Sequence, residues 1–284
     1  MALGRVGVWV GRLGVLPARE EAAAARELER LGYGALWYGE GPFNREAFAH
    51  AALLLAATER VAVASGIASI WLREPVSARN GALALAEAHP GRFVLGLGVS
   101  HAPLVERIGR EYRRPLAAMR TYLSEMDAAG EYRAAAPAEP APVVLAALGP
   151  LMLELSRDAA DGAHPYLTTP EHTRRAREIL GAGKLLAPEQ AFALETDPAR
   201  ARAVGREHVG RYLELPNYRN NWLRLGLDVE DVDGLVDALV AWGDEAAVRA
   251  RVEEHLAAGA DHVCVQAIGE DPLGDLRRLA LLLL

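Results

Sequence analysis

The chain has 284 residues, 51% hydrophobic and 24% charged, with a formal charge of -7, a composition ordinary for a globular protein with a sizeable core. That charge, with no basic stripe carrying interleaved aromatics, argues against a nucleic-acid partner, so an anionic ligand has to be met by local arginines or backbone amides. Cys264 is the single cysteine, which excludes an internal disulfide and a cysteine-rich metal centre.

Residues 1–5 lack the shape of a signal peptide, and no apolar run reaches membrane-spanning length, so the expectation is a soluble, cytoplasmic protein with no membrane partner. Residues 6–10 read as a first strand, and Pro17 suits the first turn of a helix that runs to Leu31 and stops at Gly32. A second strand at 35–38 precedes Gly39-Glu40-Gly41-Pro42, and a helix covers 46–57. A third strand at 61–65 runs into Gly66-Ile67-Ala68-Ser69-Ile70-Trp71, and a helix follows at 76–88.

The stretch from Gly91 to His101 organises the rest. Residues 93–97 form an almost wholly apolar run, the pattern of a strand buried on both faces. Gly96 and Gly98 allow a close backbone approach where it ends, and Ser100 and His101 bring polarity in abruptly at the C-terminal end, where parallel α/β proteins do their chemistry. Gly96-Leu97-Gly98 does not complete a dinucleotide fingerprint. His101 stands where the third glycine belongs, and the residues after it, with Pro103, are not expected to open a helix at once.

The alternation continues with a helix at 115–129, a connector at 134–142, a strand at 143–146 and a helix at 151–160. A sixth strand spans 163–167, and Thr169-Pro170 begins a helix with threonine as N-cap. A seventh strand at 191–194 and a helix at 198–213 follow. Residues 214–240 break the rhythm with Asn217-Tyr218-Arg219-Asn220-Asn221-Trp222, a polar and aromatic run that either lines a substrate mouth or packs over a rim. Val248, Val252 and Leu256 mark a helix stopped by Gly259, and 262–266 form an eighth strand. The expected fold is α/β: a single-domain (β/α)8 TIM-type barrel with an insertion at 214–240, with a doubly wound sheet as the alternative.

Several stretches in order resemble the luciferase-like monooxygenase superfamily, and within it the branch of oxidoreductases that use the deazaflavin coenzyme F420. They are Leu36-Trp37-Tyr38-Gly39-Glu40, Ala57-Thr58-Glu59-Arg60-Val61, Ser65-Gly66-Ile67-Ala68-Ser69-Ile70, Arg73-Glu74-Pro75, Pro90 through Gly98, and Gly259-Ala260-Asp261-His262-Val263. Relatives that bind flavin mononucleotide (FMN) share much of this pattern. The resemblance implies a ring lying across the C-terminal mouth, backed by a bulge with a non-proline cis peptide, which maps to Ser65, Gly66, Ile67 and Ala68. Ser100 is a further candidate contact to the coenzyme. The loop Gly149-Pro150-Leu151-Met152 opens a helix whose N-terminal amides are candidates for the coenzyme's phosphate.

The better-known sugar-phosphate dehydrogenases of that branch carry an acid then a histidine after the second strand, where this chain has Glu40 then Gly41. They carry a carboxylate after the fourth strand, where it has His101. Glu40 and His101 are therefore the candidate catalytic pair, expected to face one another and share the proton work, with a sugar phosphate in doubt as substrate. The resemblance implies a hydride-transferring enzyme acting on a small molecule, and a homodimer, since relatives commonly dimerise. An FMN-dependent monooxygenase and a coenzyme-binding protein without turnover are the alternatives.

Overall fold

The computed structural model describes residues 3–284; Met1 and Ala2, on which the N-terminal expectation partly rests, lie outside the described residues. In chain order the strands are β1 (Val6–Trp9), β2 (Ala35–Tyr38), β3 (Ala62–Ser65), β4 (Ala68–Ser69), β5 (Phe93–Gly98) and β6 (Val143–Leu145). They continue with β7 (Gly162–Ala163), β8 (Leu185–Leu186), β9 (Glu189–Ala193), β10 (Ala241–Trp242) and β11 (Val263–Ala267). Every pairing is parallel, in the order β10-β9-β11-β1-β2-β3-β5-β6-β7-β8, with β4 on β5. The result is a curled parallel sheet with helices on its outside. No helix among the described residues is long and apolar enough to cross a membrane.

The helices begin and end where local chemistry directs. α1 (Ala18–Leu31) follows Pro17 and closes on Gly32, whose φ of 101° lets its N–H turn back to the Leu28 and Glu29 carbonyls. α2 (Ala47–Ala57) packs over β3 and α3 (Pro75–Ala88) over β5 from outside. α4 (Ala102–Glu106) starts directly after His101, against the expectation that no helix opens there; Pro103 sits in the first turn, where a missing N–H costs nothing. α5 (Pro115–Asp127), α6 (Pro150–Ala159), α7 (Pro170–Leu180), α8 (Pro198–Gly210) and α9 (Pro216–Arg224) all carry proline in the first turn. α10 (Val232–Leu239), α11 (Glu245–Ala257) and α12 (Pro272–Leu283) are capped by Asp231, Asp244 and Asp271.

β2, β3 and β5 are buried along their whole length, because helices cover one face and side chains fill the other. Leu36, Tyr38 and Val63 pack outward against the helices. Ala35, Trp37, Ala62, Ala64, Val94, Val144 and Cys264 form a separate cluster on the inner face. The close approach expected at Gly96 and Gly98 is made by the chain itself. A Cβ on Gly96 would stand 1.8 Å from the Ser65 carbonyl oxygen, and one on Gly98 would stand 2.3 Å from the Ile67 side chain.

The structure differs from the sequence reading at four strands, one of which, β10 beside β9, the sequence reading lacks altogether. The sixth keeps only Gly162–Ala163, since Leu167 turns away with a positive φ of 54°. The seventh starts earlier than 191 and is divided by Ala187-Pro188 into β8 and β9. β4 is a two-residue strand whose pairing to β5 has no signal of its own in the sequence.

A candidate ligand cavity at the C-terminal ends of the strands

A cavity of about 600 Å³ opens where the strands end. Its wall takes Trp9 from β1, Gly39 and Glu40 after β2, Gly66 and Ile67 after β3, and Val99, Ser100 and His101 after β5. Residues 146–152 after β6 and His164 and Tyr166 after β7 continue it, and Tyr212, Asn217, Tyr218, Asn220 and Arg224 close it from the segment around α9. The volume lies in the range of small-molecule and cofactor sites.

One wall is built on Gly66. The Gly66-Ile67 peptide bond is cis, and Gly66 lies flush against aromatic rings: a Cβ there would meet the Trp9 ring at 2.5 Å and His164 Nε2 at 2.8 Å. His164 stacks on Trp37 (centroids 4.3 Å apart, 16° between planes) and on Trp9 (5.7 Å, 12°). Its Nδ1–H donates to the Ala187 carbonyl at 2.7 Å, which leaves Nε2 as a bare, enclosed acceptor. Burial pushes its pKa down to about 4, so the ring is neutral.

Glu40 lines the cavity, but its carboxylate is fully engaged. Oε1 accepts from the Ala47 amide at 2.9 Å and from Arg73; Oε2 accepts from the Ser69 amide and from Arg73 Nη1, both at 2.8 Å. Its own N–H donates to the Ile67 carbonyl at 3.2 Å. Burial would lower the Arg73 pKa, yet the Glu40 and Glu46 carboxylates beside it raise it overall, so this guanidinium is a permanent partner. The expectation of a Glu40–His101 proton-sharing pair does not match these contacts: four donor atoms, from Ala47, Ser69 and Arg73, hold this carboxylate, and none comes from His101.

His101 follows Ser100, which adopts a positive φ of 54°, and stands at the N-cap of α4. Its ring lies 5.6 Å from that of Tyr218. Burial holds its pKa below the ordinary value, against an opposing hydrogen bond to Asn217, so the neutral form dominates at pH 7. Nδ1 is enclosed without a partner.

At the opposite end, α6 starts at Gly149 with no side-chain cap and no acidic residue in its first turn. Arg224 stands across from it, and a Cβ on Gly149 would come 3.5 Å from its Nη2. Its guanidinium has no carboxylate within salt-bridge distance among the described residues; its one side-chain contact is Asn221 Oδ1 at 3.4 Å. A cation facing the Leu151 amide, at a helix start with no side-chain cap, is a pole that fits an anion.

Of the candidates named from the sequence, Glu40, Gly66, Ile67, Ser100, His101, Gly149, Pro150, Leu151 and Met152 line this cavity. Ser65 and Ala68 do not. The Ser65 hydroxyl both donates to the Gly96 carbonyl and accepts from the Gly96 amide at 2.9 Å, and Ala68 is buried within β4. Trp9, Tyr112, His164, Tyr166 and Tyr212 were not anticipated. Trp9 and His164 carry one signal, their position at a strand end; the tyrosines arrive through packing of distant segments.

The sequence model of the luciferase-like monooxygenase family matches residues 1–262. The 5,10-methylenetetrahydromethanopterin reductase of Methanolobus tindarius is 24% identical over 215 residues, 67% of this chain and 66% of that protein's length. Among solved structures, the coenzyme F420-dependent tetrahydromethanopterin reductase of Methanopyrus kandleri superposes with a TM-score of 0.73 at 18% identity, covering 98% of both chains. EDTA monooxygenase from Chelativorans sp. BNC1 gives 0.78 at 12% identity, covering 99% of this chain and 93% of its own. Such low identities speak for a shared fold alone. With the family match over most of its length and a cavity where the strands of its parallel sheet end, the chain belongs to the luciferase-like monooxygenase family.

Proposed function

We propose that this chain is an oxidoreductase that transfers a hydride between the deazaflavin coenzyme F420 and a small organic substrate. The observation that carries the reading is one cavity with two unlike ends: a flat wall at Gly66, where no side chain fits, and an anion-binding pole at Gly149 and Arg224. A planar ring with a phosphate-bearing tail matches both. The names of the reductases it resembles favour the deazaflavin over FMN.

Gly66, Ile67 and Trp9 would back the ring, while Arg224 and the Leu151 amide would hold the phosphate, since Pro150 has no N–H and the Met152 and Leu153 amides donate to the Gly149 carbonyl. The coenzyme, when bound, supplies a carbon that accepts or releases a hydride. Around it, Ile67, Val99, Leu104 and Leu116 keep water from the wall, and His101 handles a proton at Nε2. Glu40 acts as a positioning residue, tying the loop after β2 to Ile67 and Ser69 on either side of the flat wall.

We infer further that the sheet closes as an eight-stranded (β/α)8 barrel in a single domain, with 214–240 inserted before the last strand. In support, β8 pairs with β7 and β9 with β11, and only Ala187-Pro188 separates β8 from β9, so these two count as one interrupted strand. Parallel titrations with coenzyme F420 and FMN test the function. Tighter binding of the deazaflavin is expected; equal or tighter binding of FMN would overturn it in favour of a flavin monooxygenase.

A further inference from the structure

Four tyrosines line the cavity, and three have their hydroxyl hydrogens engaged within the protein. Tyr112 donates to the Ser100 carbonyl at 3.4 Å, Tyr212 to the Tyr166 oxygen at 3.1 Å, and Tyr166 to Gln266 Oε1 at 2.8 Å. Tyr218 is the exception. Its side chain is buried, at 6% exposure, yet its hydroxyl makes no hydrogen bond among the described residues. The oxygen is not enclosed by protein either, unlike His101 Nδ1 or Glu189 Oε1. A buried phenol generally finds an acceptor, so an uncovered one facing a cavity is matched by whatever the cavity holds.

The ring is held on several sides. It packs edge-on against Tyr212 (4.8 Å) and Tyr166 (6.4 Å) and tilted against Trp222 (5.9 Å), so packing fixes the direction of the hydroxyl. Burial, with Tyr212 and Glu189 nearby, raises its pKa well above the ordinary value, which keeps the phenol protonated and a donor. Tyr218, with Asn217, lies beside His101.

We propose that Tyr218 is a catalytic residue whose hydroxyl donates a hydrogen bond to the reacting oxygen of the substrate, which is therefore an uncharged carbonyl or hydroxyl compound. This rests on the hydride-transfer reading above. The charge inventory supports the neutral class: the one cation on the cavity wall is Arg224, at the α6 pole, and the one carboxylate is Glu40, already saturated.

Tyr218→Phe keeps the packed ring and removes only the oxygen. The protein loaded with oxidised coenzyme F420 is titrated with cyclohexanone and with methylenecyclohexane, an isostere lacking the oxygen, each followed through the visible absorbance of the coenzyme. Reduction of cyclohexanone by the reduced coenzyme is followed in parallel. The wild-type protein should prefer the ketone by about tenfold, and Tyr218→Phe should lose that preference while binding the coenzyme as before. Its kcat/KM for cyclohexanone should fall by roughly 10- to 100-fold. Absence of a preference in the wild-type protein, or its survival in Tyr218→Phe, would overturn the inference. Failure of the wild-type protein to bind the coenzyme would instead overturn the reading beneath it, and this inference with it.

Discussion

Replacing Glu40 by glutamine separates an anchoring carboxylate from a proton-transferring one. The Glu40 side chain is 2% exposed and that of Arg73 is 8%, so the pair is shielded from water. Glutamine keeps one carbonyl oxygen but turns an NH2 group toward donors, either the Arg73 guanidinium or the amides of Ala47 and Ser69. Arg73 is left with Glu46, whose carboxylate is half exposed. Removing one partner of a buried pair costs about 3–5 kcal/mol, and the remaining contact to Glu46 puts the expected loss near the lower figure, about 3 kcal/mol. For a chain of this size that is roughly a 6–12 °C fall in the unfolding midpoint. Coenzyme binding should weaken in step, because the same carboxylate holds Ser69 beside the Gly66 wall. Urea and thermal unfolding followed by tryptophan fluorescence, with a coenzyme titration on the folded variant, read both effects. An unchanged midpoint with turnover lowered a hundredfold or more would refute the reasoning and return Glu40 to proton transfer.

Gly66→Ala brings a Cβ to 2.5 Å from the Trp9 ring and 2.8 Å from His164, an overpacking of about 1–3 kcal/mol; its coenzyme Kd should rise by about tenfold or more, and normal binding would remove this wall from the site. Arg224→Ala should weaken the coenzyme by roughly 10- to 100-fold while leaving a phosphate-free analogue unaffected, and an equal loss for both would rule out the anion pole. Burial lowers the pKa of His164, His172, His208 and His262 to about 4 and that of His255 to about 3. The unfolded chain binds more protons than the folded one below about pH 6.5, so stability is complete above that pH and is lost as pH falls toward 4, by about 2 kcal/mol per histidine at pH 5. Urea midpoints that stay flat across this window would contradict it.

What the sequence made legible follows from which interactions are local. The strands at 35–38, 61–65 and 93–97 are found at Ala35–Tyr38, Ala62–Ser65 and Phe93–Gly98, because strands covered on both faces must be apolar throughout. Helix starts at Pro17 and Thr169-Pro170 were readable for a similar reason, since a cap involves residues three or four apart. Pro188 hid the seventh strand's beginning by interrupting its apolar run, and the pairing of β4 depends on β5, far along the chain.

The same distinction governs the site. Where a strand ends is a local property, and Glu40, Ser100, His101 and Gly149 all reach the cavity on that ground. Whether a polar side chain there is free to act is not local, because its partners come from elsewhere in the fold. Glu40 is held by Arg73, 33 residues away, so a carboxylate in the right place is already committed to a partner. Tyr218 stands in a segment read from sequence as either mouth or rim packing, and it is both: its ring is packed among Tyr212, Tyr166 and Trp222 while its oxygen faces the cavity without a partner. A residue immobilised by its ring and uncommitted at its oxygen meets the requirement for a substrate contact better than a carboxylate immobilised by its own charge. On the proposed reading His101 works beside Tyr218, and the Glu40→Gln and Tyr218→Phe variants should fail in different measurements, the first in stability and the second in preference for an oxygen.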